Sequence, residues 1–77
     1  MAHLTATMLA DLRGVHPATA RRWIADARAR RAADPHADAY PVEDVAVTGG
    51  NGARLSAPAL VVPDDVVALW RREAEAA

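Results

Sequence analysis

The feature that most constrains this chain is a glycine corner at Gly14, set between two stretches of helical periodicity. Leu4, Met8, Leu9 and Leu12 recur at helical spacing, and Thr5 is a plausible N-cap, so a first amphipathic helix is expected from Thr5 to the corner. Gly14 suits the left-handed residue that ends such a helix. Pro17 suits the first position of the next, where its missing N–H is not needed. In the second helix Ala20, Trp23, Ile24 and Ala27 mark the expected buried stripe, with Trp23 as its large apolar anchor. That helix should stop before Asp34-Pro35, because proline disfavours helical geometry in the residue before it. Two helices joined by a short turn containing glycine form a helix-turn-helix unit, here residues 5–33.

Beyond it, residues 34–41 (DPHADAYP) predict an exposed connector, and Val42–Val47 a β-branched strand. Thr48-Gly-Gly-Asn-Gly52 is the strongest turn signal in the chain. Leu55–Val62 returns as a second strand, which Pro58 predicts to be an edge strand or a bulge because it cannot donate to a ladder. Pro63-Asp64-Asp65 opens a third helix over 63–76, with Val66, Leu69 and Trp70 on its inner face. The fold class predicted is mostly α with a small β-hairpin at 42–62: helix, turn, helix, hairpin, helix.

At 77 residues the chain is one domain. Its hydrophobic share of 52% overstates the core, since half of those residues are alanine. So small a domain leaves little room for a deep substrate pocket, which argues against an enzyme. There is no cysteine, hence no disulfide framework and no thiolate metal site. No apolar run approaches the ~20 residues that cross a bilayer, and no leader opens the chain, so a cytoplasmic location is expected. The net charge of −1 hides an asymmetry. Through residue 33 the arginines far outnumber Asp11 and Asp26, whereas beyond it acids dominate. A basic front half suggests a face for a polyanion.

The first turns of the second helix are the part a helix-turn-helix protein inserts into the major groove of DNA. Arg21 and Arg22 can bond phosphate or fork onto guanine, and Thr19 can bond phosphate or touch a thymine methyl. Arg28, Arg30 and Arg31 extend the basic helix as a solvated face or as phosphate contacts. His3, His16 and His36 share no ligand spacing, and Gly49–Gly52 lacks the Lys-Ser/Thr ending of a phosphate loop. No catalytic constellation can be assembled, and no metal or cofactor is expected.

The string Leu4-Thr5 … Leu9-Ala10 … Leu12 … Gly14-Val15 … Pro17 … Thr19 … Arg21-Arg22-Trp23 resembles the winged helix-turn-helix of the MerR superfamily, in its small excisionase-like branch. Val61–Trp70 resembles the strand-to-helix segment after the wing. The resemblance implies that Thr19, Arg21 and Arg22 touch DNA in the major groove and that Arg54, near the hairpin tip, meets phosphate or the minor groove. With His16, Pro17 and Arg28 at the start and along the second helix, the expected DNA-binding set is His16, Pro17, Thr19, Arg21, Arg22, Arg28 and Arg54. It departs from the pattern at His16, where serine is usual, at Ala20, where a β-branched residue is usual, and in a longer stretch between Trp23 and a weakly basic wing. It further implies a recombination directionality factor of a phage or mobile element, which binds and bends double-stranded DNA, partners an integrase and self-associates on DNA. A small MerR-like transcriptional regulator of the same fold is the alternative. A protein-interaction module, such as an antirepressor or antitoxin, is a second.

Overall fold

The computed structural model describes residues 1–76 as three helices, together about half the chain, and a three-stranded antiparallel sheet. In chain order these are β1 (Ala2–Thr5), α1 (Ala6–Arg13), α2 (Pro17–Ala33), β2 (Val42–Thr48), β3 (Arg54–Val62) and α3 (Asp64–Ala76).

The strand order β1-β3-β2 corrects the sequence reading twice. First, Ala2–Thr5 is a strand rather than a lead-in to the first helix, and it runs antiparallel to Ala59–Val62. Leu4 is buried as a strand residue opposite Leu60, not as the start of a helical stripe. Second, β3 is the central strand and not an edge, although it contains Pro58. The proline is tolerated because pairing with β1 ends at Ala59, so at Pro58 the strand has a neighbour on one side only.

The sheet buries two different surfaces. Leu60 and Val62 join Leu4, Leu9, Ile24 and Val67 in the core beneath the helices. On the opposite face Ala59 and Val61 are buried too, because His3 on β1 and Glu43 on β2 reach each other at 2.7 Å across β3. The hairpin closes at 49–53, where Gly49 N–H donates to the Ala53 carbonyl and Gly52 adopts φ 80°.

Packing of α2 corrects a third expectation. Its inward stripe is Ala20, Ile24 and Ala27, at i, i+4 and i+7, and Ile24 is the anchor. Trp23 lies at the margin of that stripe and is 44% exposed. The small Ala10 and Ala20 are both buried, as two closely packed helices require. Met8 is likewise exposed, and α1 buries Leu9 and Ala10 instead. In α3 the inward stripe is centred on Val67 and Trp70, which leaves Leu69 45% exposed rather than on the inner face.

The connector is less detached than its composition suggests. Asp34 caps the end of α2 and accepts from His36 N–H, while Arg31 donates to the Ala39 carbonyl at 3.0 Å. Ala39 and Tyr40 then pack on the core. Among the described residues no helix is long and apolar enough to cross a membrane.

Candidate nucleic-acid interface

The corner between α1 and α2 has the geometry its sequence requires. Gly14 sits at φ 67° and ψ 38°, and its N–H, like that of Val15, donates to the Ala10 carbonyl. His16 then acts as the N-cap of α2: its Nδ1 accepts from Ala18 N–H at 3.0 Å. A neutral imidazole that accepts at Nδ1 carries its proton on Nε2, so the ring presents a donor away from the helix. Pro17 occupies the first turn.

The next turn carries the free charge. Arg21 and Arg22 are exposed, and among the described residues neither has a carboxylate partner. Arg22 Nη2 lies 3.4 Å from Thr19 Oγ1, a long contact that sets the two side chains side by side. The arginines further along α2 are engaged. Arg28 pairs with Asp44 of β2 at 3.0 Å, Arg30 with Asp26 one turn back, and Arg31 holds the connector. Cationic character on α2 is therefore concentrated in its first two turns, where the positive end of the helix dipole adds to it.

Arg21 and Arg28 line one wall of an open groove of about 790 Å³ between α2 and the hairpin. Ala25 and Ala29 continue that wall, and Val47 and Pro58 stand opposite. Thr5 and Thr7 close one end at the start of α1, where Thr5 makes no side-chain cap. A groove of this size was not expected from the length of the chain. Thr5 and Thr7 were missing from the sequence-derived set because only the β1–β3 pairing sets the start of α1 beside α2 and the hairpin. Arg54 begins β3 next to the hairpin tip, exposed and without a carboxylate partner among the described residues.

The candidate residues thus fall into two places. His16, Pro17, Thr19, Arg21 and Arg22 share the start of α2, and Arg54 stands on the hairpin. Arg28 lies between them, bound to Asp44. The three histidines do not converge, since His3 pairs with Glu43, His16 caps α2 and His36 lies in the connector. Comparison of the chain with family models, with curated proteins and with solved structures returns no match in any of the three.

Proposed function

We propose that this is a sequence-specific duplex-DNA-binding protein of the winged helix-turn-helix type. The first turns of α2 enter the major groove, the hairpin approaches the neighbouring minor groove, and the phosphodiester ridge between them lies along the open groove. The observation that carries the reading is the state of Arg21 and Arg22. They project from a helix aimed by the Gly14 corner, and among the described residues no carboxylate neutralises them. Thr19, the outward Nε2 of His16 and Arg54 supply further donors.

The test is binding to duplex oligonucleotides selected from a random pool, followed across a salt series. Two to four phosphate contacts give log K falling against log[salt] with a slope of roughly −2 to −4. A flat response would remove the electrostatic basis of the reading.

Within this class the chain's resemblance to excisionases favours a recombination directionality factor that bends its site and positions an integrase. Bending costs a few kcal/mol, which contacts along the wrapped duplex offset. A bent complex migrates more slowly in a gel when the site lies mid-fragment than when it lies at an end. Equal mobilities would dismiss the excisionase role and leave a small transcriptional regulator.

A further inference from the structure

Two consecutive acids on β2 are each matched to a single partner. Side chains of adjacent strand residues point to opposite faces. Glu43 turns to the outer face and meets His3, whereas Asp44 turns toward α2 and holds Arg28 Nη2 at 3.0 Å. Arg28 belongs to the same groove wall as Arg21, but Arg21 has no such partner among the described residues. Both members of the Arg28–Asp44 pair are largely solvent-accessible, at 50% and 60%. The carboxylate therefore stands beside the groove, where it offers the guanidinium the acceptor pattern that a phosphate would.

We infer that Asp44 is an internal counter-anion that withholds Arg28 from the DNA backbone, so that the hairpin limits affinity by occupying one cation of the groove. This rests on the DNA-binding reading above. An exposed pair of this kind is weak, so it lowers affinity without preventing binding. It also ties the hairpin to the helix that would read the bases. Glu43 cannot substitute for Asp44, because it faces the other way and is already bound to His3.

The test uses the full chain and a fluorescent duplex carrying the site selected from the random pool. Asp44→Asn keeps the shape of the side chain and removes its charge. It should tighten binding about two- to fivefold, the range set by freeing one partner of an exposed pair. It should also steepen the salt slope by about 0.9, the increment for one further phosphate contact. Adding Arg28→Ala to Asp44→Asn should abolish both gains.

Two results would overturn the inference while leaving DNA binding intact. One is an Asp44→Asn protein that binds like the wild type. The other is a gain that survives in the double variant, which would mean that only a negative charge near DNA had been removed. A wild-type protein with no salt-dependent binding would instead overturn the DNA-binding reading and this inference with it.

Discussion

The guanidinium of Arg13 lies 4.9 Å over the Trp70 ring while its Nη1 donates to Glu73 at 3.0 Å, so the last turn of α1 is fastened to α3. Tyr40 meets the same indole edge-on at 6.0 Å between centroids, which brings the connector into the contact. Arg13→Ala removes a cation–π contact and a partly exposed ion pair, for a loss of about 1 kcal/mol. Trp70→Ala removes the surface on which both neighbours pack, for about 2–4 kcal/mol. Urea denaturation of the two variants should rank them in that order.

Ile24 and Trp23 are sequence neighbours with opposite structural weight. Ile24→Ala opens a cavity in the centre of the core and should cost about 2–5 kcal/mol. Trp23→Ala, at a side chain 44% exposed, should cost no more than about 1–2 kcal/mol. Thermal melts would decide between them, since 1 kcal/mol shifts Tm by about 4–8 °C in a domain of this size. A larger loss at Trp23 than at Ile24 would contradict the packing described.

The corner can be probed without touching the core. At Gly14 an added Cβ meets nothing within 4 Å, so Gly14→Ala tests backbone conformation alone. At φ 67° the cost should be about 1–2 kcal/mol, with Gly14→Asn closer to wild type. His16→Ala should lose about 1 kcal/mol by leaving Ala18 N–H without its acceptor, and His16→Asp should recover it.

Arg22→Ala separates a structural role of the side chain from the DNA contact proposed for α2. Among the described residues its polar contact is with Thr19 alone, so stability should stay within about 0.5 kcal/mol of wild type. Affinity for the selected duplex should fall by about 1–3 kcal/mol, with relaxed preference at one position if the side chain reads a base. Equal loss on all sequences would assign it to phosphate.

Local signals made the helices and the hairpin legible in the sequence. Gly14, Pro17 and Asp34-Pro35 punctuate α1 and α2 through backbone preferences that act within a few residues, and 48–52 does the same for the hairpin. Long-range pairing was not legible. Nothing in Ala-His-Leu-Thr distinguishes a four-residue strand from the approach to a helix, because its partner lies near the other end of the chain. Without β1, Pro58 reads as marking an edge strand or a bulge. Helical spacing alone puts Trp23 beside the buried stripe of α2, but whether it lies in the stripe or at its margin depends on how α2 packs. The structure fills the stripe with Ala20, Ile24 and Ala27. At the candidate interface, the outward direction of Arg21 and Arg22 follows from helical spacing. The capture of Arg28 by Asp44 and the placing of Thr5 and Thr7 on the groove depend on the sheet.

The pairing of β1 with the end of β3 also dictates an order of events during synthesis. The helical corner involves only neighbouring residues and can form as soon as α2 has left the ribosome. The β1–β3 pairing must wait for Ala59–Val62, and until then Leu4 and His3 lack their partners Leu60 and Val61. A stalled or truncated nascent chain would therefore expose a greasy, half-built body to other nascent chains, and such intermediates are prone to aggregate.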